Sequence, residues 1–110
     1  MRRLRAAFKQ ARARAPKVIV LAGGEDLWSN EIHLNAIEAS ADAAAEFWAN
    51  IVAVDDLIRP VILATDPVVV AVGRNVGVGG AILPLAADLV LVREGVVLNP
   101  HHRNMGRIYG

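Results

Sequence analysis

Two short runs that contain no polar residue restrict this chain more than any other feature. Val18-Ile19-Val20-Leu21 and Val68-Val69-Val70-Ala71-Val72 are unbroken apolar segments rich in β-branched residues. Such residues are stiff at χ1 and fit a pleated strand, and the absence of alternation predicts strands covered on both faces, as in a parallel sheet. Each run opens into glycine. Ala22-Gly23-Gly24 follows the first, and the stretch from Gly73 to Gly80 follows the second. Glycine there breaks the strand and starts a loop.

Helical patterns lie around these runs. Leu4, Ala7, Phe8 and Ala11 share one stripe of a helix over residues 4–15, which Pro16 ends. A second helical region runs from Ile32 to about Ala39. Ser40 is read as the N-cap of a third, which carries Phe47, Ile51, Val54 and Ile58 at helical spacing, and Pro60 is expected to kink or stop it. Ala81 to Ala87 follows the glycine-rich loop as the start of another helix. Leu89–Val92 and Val96–Leu98 read as short strands about a turn at Arg93-Glu94-Gly95. Strands alternating with helices define an α/β fold, in which ligands sit where strand ends open into loops. Here those ends are Leu21 and Val72.

A length of 110 residues allows one domain. Net charge of +1 argues against a dedicated nucleic-acid binder, yet the charge is unevenly placed. Arg2, Arg3, Arg5, Lys9, Arg12, Arg14 and Lys17 crowd the first 17 residues with no acid among them. A solvated helix face explains such a run better than a targeting peptide, which would also be rich in Ser; a face that attracts an anionic ligand is the third reading. Without cysteine there is no disulfide or thiol chemistry. Arg59, Pro60, Asp66 and Arg74 interrupt the apolar stretches short of the ~18 residues of a membrane span, so a soluble cytoplasmic protein is expected.

Few residues point to chemistry unaided. Gly77-Val78-Gly79-Gly80 ahead of a helix would expose backbone N–H groups suited to phosphate or an oxyanion. It lacks the Lys-Ser/Thr of a phosphate loop and the spacing of a dinucleotide fingerprint, and a tight turn is the plainer reading. His33, His101 and His102 have no metal-ligand spacing, so no metal is expected. Glu25, Asp26, Glu31 and Glu38 cluster about the first loop as a solvated set rather than an acid/base pair. Trp28 and Trp48 are read as core aromatics. No nucleophile-elbow motif supports hydrolase chemistry.

Two stretches together carry more information. Residues 18–38, from Val18 through Ala22-Gly23-Gly24 to Glu38, resemble the first active-site segment of crotonase-like (enoyl-CoA hydratase/isomerase) enzymes. Residues 76–88, Val76-Gly77-Val78-Gly79-Gly80 to Ala87-Asp88, resemble the second. Ser29-Asn30, Ile32-His33-Leu34-Asn35, Ile37-Glu38, Val97-Leu98-Asn99-Pro100-His101, Met105-Gly106 and Tyr109-Gly110 are further similar to the C-terminal domain of the HypX/HoxX proteins of NiFe-hydrogenase maturation. The resemblance covers nearly the whole chain and is weakest before Lys17.

That resemblance implies a partial crotonase-like spiral fold over residues 1–110, truncated at both ends, without the family's first strand and its C-terminal helices. It implies an acyl-CoA substrate, with release of carbon monoxide from formyl-CoA as the reaction, and a missing formyl-transferase-like domain or a homotrimer as partners. The oxyanion donors would be the backbone N–H groups of Ile32 and Gly79, with Ser29, Asn30 and Gly80 in the loops that meet CoA. His102 stands where the maturation family has Tyr, and would be the proton donor. Ile82 stands where hydratases carry a catalytic Glu, so ordinary water addition to an enoyl-CoA is a distant alternative. Glu31 replaces a family Gly, and Pro60 and Pro84 fall where the family continues helix. These departures lead to the expectation that this chain alone is inactive. The alternatives are a non-catalytic CoA-binding or assembly module and a degenerate remnant.

Overall fold

The apolar runs form the centre of the structure. The computed structural model describes residues 1–26, 28 and 37–99. Strands β1 (Ile19–Ala22), β2 (Val68–Val72) and β4 (Leu89–Val92) make one sheet in the order β1-β2-β4, with both pairings parallel. A second pair, β3 (Val76–Gly77) and β5 (Leu98–Asn99), is also parallel. Helix α1 (Arg2–Arg12) precedes β1, helix α2 (Ala43–Ile62) crosses from β1 to β2, and the short α3 (Ile82–Leu85) lies between β3 and β4. This is the α/β class expected. The strands about the 93–95 turn lie in different sheets rather than with each other, because each finds a parallel neighbour formed earlier in the chain.

The core sits on one face of the larger sheet. Val68, Val70 and Val72 of β2 are almost fully buried and cluster with Ile19, Leu21, Phe8, Leu57, Val61 and Leu83. Both α1 and α2, with α3, therefore press on the same side. The opposite side carries Val20 beside Val69 beside Leu89, then Ala22 beside Ala71 beside Leu91. Val20, Leu89 and Leu91 are 57%, 51% and 53% exposed. The expectation of strands covered on both faces thus holds for one face of β1 only. An apolar run records that a second face tolerates burial, not that this chain supplies the cover.

Helix boundaries differ in detail from the sequence reading. α1 stops at Arg12, and Ala15, just before Pro16, takes a left-handed backbone with φ 47°, a region costly for a residue with a Cβ. Asp42 rather than Ser40 caps α2: its carboxylate accepts a 2.9 Å bond from the Ala45 N–H, while Ser40 Oγ donates to the Ile37 carbonyl. The buried side of α2 is Ala53, Val54, Leu57 and Val61, so Val54 belongs to it but Phe47, Ile51 and Ile58 lie only half in. α2 runs through Pro60, which forgoes one helical hydrogen bond, and ends two residues later at Ile62. Among the described residues no helix is long and apolar enough to cross a membrane.

The basic run behaves as a solvated helix face. Arg5 Nη1 reaches Asp56 Oδ2 at 2.7 Å, Arg12 reaches Asp66 at 3.4 Å, and Arg2 approaches Glu46 at 4.0 Å. The Arg5 and Arg2 pairs are open to solvent, contribute little, and orient α1 against α2, while the part-buried Arg12–Asp66 pair ties the end of α1 to the loop before β2.

Candidate functional site

Parallel strands deliver their loops to one edge, and here two of those loops are joined. After β1 the chain passes Gly23, Gly24, Glu25 and Asp26 to Trp28; after β2 it passes Gly73, Arg74 and Asn75 to β3. The Trp28 N–H donates to the Asn75 carbonyl at 3.4 Å, and the Arg74 guanidinium Nε donates to the Glu25 carbonyl. Asn75 Oδ1 accepts from the Val97 N–H at 3.0 Å, which ties the approach to β5 into the same junction.

A single 3-10 turn, Val78–Ala81, begins after the extended Gly77 and leads directly into α3. The first N–H groups of such a turn have no acceptor inside it. Gly79 and Gly80 are buried within it. Trp28 lies half-buried across from this turn, and its indole Nε1–H donates to the Gly80 carbonyl at 3.0 Å. That bond has a local cause. In a continued α-helix the Gly80 carbonyl would accept from residue 84, but residue 84 is proline and has no N–H. The indole supplies the donor that Pro84 cannot. Pro84 itself lies in the first turn of α3 and is fully buried.

Asp88 closes the segment. Its carboxylate Oδ2 accepts from the Val68 N–H at 2.8 Å, and its own N–H donates to the Val68 carbonyl at 3.0 Å. The Ala87-Asp88 ending noted in the sequence therefore clamps the start of β2, which fixes where the glycine turn stands relative to the strand.

Of the residues singled out from sequence, Gly79 and Gly80 stand in this junction, and Trp28, read only as a core aromatic, proves to be the link between its loops. Trp48 does not enter the core at all; it is 65% exposed on α2. Glu25, Asp26 and Glu38 are exposed, and Ile82 is 39% exposed at the start of α3. Ser29, Asn30, Glu31, Ile32, His33, His101 and His102 lie outside the described residues. Among the described residues no group of three His, Cys, Asp or Glu side chains could hold a metal ion.

Two cavities flank the junction. One of about 650 Å³ lies between α1 and β1 and touches Trp28 and Leu83, but neither Gly79 nor Gly80, so it is not the space in which a donor at Gly79 would act. The other, about 280 Å³, opens at the ends of β2 and β4 between Arg74 and Arg93, whose charges are offset there by Asp26 and Glu94.

The architecture defines the chain as an α/β unit whose two strand-end loops are bonded around a glycine turn. Among known proteins it is 50% identical over 105 residues to the hydrogenase maturation factor HoxX of Bradyrhizobium diazoefficiens, covering 94% of this chain and 19% of that protein. It matches a multiply substituted variant of HypX from Aquifex aeolicus with a TM-score of 0.91 and 45% identity, over 98% of this chain and 19% of HypX. The same HypX solved with tetrahydrofolic acid matches with a TM-score of 0.90 at 45% identity, over 98% of this chain and 19% of HypX. No protein-family model matches. The chain is homologous to the HoxX/HypX hydrogenase maturation factors and spans about a fifth of their length.

Proposed function

We propose that this chain is part of a crotonase-like domain that binds an acyl-CoA thioester in hydrogenase maturation, and that the reaction it serves is release of carbon monoxide from formyl-CoA. The observation that carries this reading is the Trp28–Gly80 bond, which holds the loop after β1 against the glycine turn. Breaking down a thioester needs two donors fixed where charge develops on the carbonyl oxygen. The Gly79 N–H is one, in the turn whose Gly80 carbonyl is tied to the indole; the Ile32 N–H is the other. Donors held in this way stabilise the transition state by about 2.7–4 kcal/mol each. By resemblance, Ser29, Asn30 and Gly80 are the loop residues assigned to CoA, and His102, at the family's Tyr position, is the proton donor.

A second reading is favoured by Ile82. It is exposed at the head of α3, where a hydratase would place its acid, and it cannot transfer a proton. On that reading the chain binds CoA without turning it over. One experiment tests the binding that both readings share and asks whether the chain turns over by itself: calorimetric titration with CoA, paired with formyl-CoA incubation in the presence of a haem reporter of carbon monoxide. Saturable binding without carbon monoxide is the expected result for the chain by itself. Carbon monoxide release would make it a working catalyst, and no binding at millimolar CoA would overturn the acyl-CoA reading altogether. A cytoplasmic setting, with a formyl-transferase-like domain supplying formyl-CoA, completes the proposal.

A further inference from the structure

The exposed side of α2 has a pattern that the CoA reading does not use. Trp48, Val52, Asp55, Arg59 and Ile62 follow one another at spacings of four, three, four and three residues along this helix. At 100° per residue they fall within an arc of roughly 80°. All five are exposed, with Trp48 at 65% and Ile62 at 62%, and Leu63 extends the stripe past the helix end at 67%. Alternating steps of three and four are the seam spacing of a coiled coil. Neither Asp55 nor Arg59 forms an ion pair with another described residue, whereas the adjacent Asp56 is held by Arg5.

The order along the seam is symmetric about Leu57: apolar Val52, acidic Asp55, basic Arg59, apolar Ile62. An identical helix laid antiparallel across it, with its two-fold axis at that level, sets Asp55 against the partner's Arg59 and Arg59 against the partner's Asp55. Val52 then packs on the partner's Ile62, and Trp48 overhangs the partner's C-terminal turn at Leu63. Each contact occurs twice, as a two-fold interface requires. No other register satisfies both charges and both apolar positions together. Pro60 does not interfere, since it points well away from the seam on the helical wheel.

We infer that this face is a homodimer interface, an antiparallel pair of α2 helices in which reciprocal Asp55–Arg59 contacts set the register. The seam is about 22 Å long at the helical rise of ~1.5 Å per residue, so it buries well under the ~800 Å² per partner of a stable complex. The dimer is therefore concentration-dependent, with dissociation in the micromolar to millimolar range.

Sedimentation velocity of the full chain across that range is the test, with far-UV circular dichroism confirming that each variant stays folded. The wild type is expected to pass from monomer to dimer. Asp55→Arg and Arg59→Asp are each expected to weaken association more than tenfold, since each puts like charges in register. The double exchange Asp55→Arg with Arg59→Asp restores it, and so does mixing the two single variants, whose seams are complementary. A monomer at every concentration overturns the inference. So does an oligomer that is indifferent to the single reversals, or one that the double exchange does not restore.

Discussion

One carbonyl oxygen, that of Gly80, links the features of the site at the scale of residues. Pro84 deprives it of the helical donor, and the Trp28 indole, 52 positions away in sequence, replaces that donor. A buried carbonyl left without a partner costs on the order of 1–3 kcal/mol. Trp28→Phe removes the N–H and leaves a smaller aromatic ring against the core, so the Pro84→Ala comparison isolates the hydrogen bond from the lost packing. Trp28→Phe is expected to lower unfolding free energy by about 1 kcal/mol in urea titration and to weaken CoA binding, because the two loops are no longer tied. The loss of stability should shrink sharply in a Pro84→Ala background, where residue 84 can donate again. None of this was legible in the sequence. Glycines before a helix signalled the turn and its possible donors, but the acceptor of a tryptophan N–H is a backbone atom, and backbone atoms leave no mark on composition. The role of Asp88 was hidden for the same reason: the motif is visible, while its partner, the Val68 N–H, is not.

At the scale of elements, the strands were the most legible part, since runs of β-branched residues leave little choice of conformation. The apolar run could not tell whether the second sheet face is covered, and in this chain Val20, Leu89 and Leu91 remain open. The start of α2 shows a different limit. Ser40 and Asp42 are both competent caps; extended backbone at Asp42 and the pull of the Ile37 carbonyl on Ser40 decide between them. Asp42→Ala removes the acceptor for the Ala45 N–H and should cost about 1 kcal/mol of stability. Ser40→Ala should cost less, and the two measured side by side by thermal unfolding would show which residue holds the helix. The stripe on α2 was misplaced by one strip of the helix for a related reason. That helix is apolar on more than one side, so periodicity alone could not choose the buried face from the exposed Trp48–Ile62 seam.

For the whole molecule, three parallel strands with helices on one side create an edge where two loops meet, and this arrangement is shared with HypX over nearly all of the chain. The resemblance singled out residues 18–38 and 76–88, and the bond from Trp28 to Gly80 places their described parts in contact. The glycine run by itself reads as a tight turn, and the roles assigned to Gly79, Gly80, Ile32 and His102 rest on resemblance. An oxyanion site at the glycine turn requires the Gly79 N–H to face a thioester oxygen. The most direct measurement follows the amide resonances of the isotope-labelled chain by NMR while acetyl-CoA is added. Saturable displacement of the Gly79 amide, together with Gly80 and the Trp28 indole N–H, is expected, with a smaller response to free CoA, which has no thioester carbonyl to bind. If millimolar acetyl-CoA leaves the Gly79 amide unmoved, or moves it no more than free CoA does, the glycine turn is not an oxyanion site.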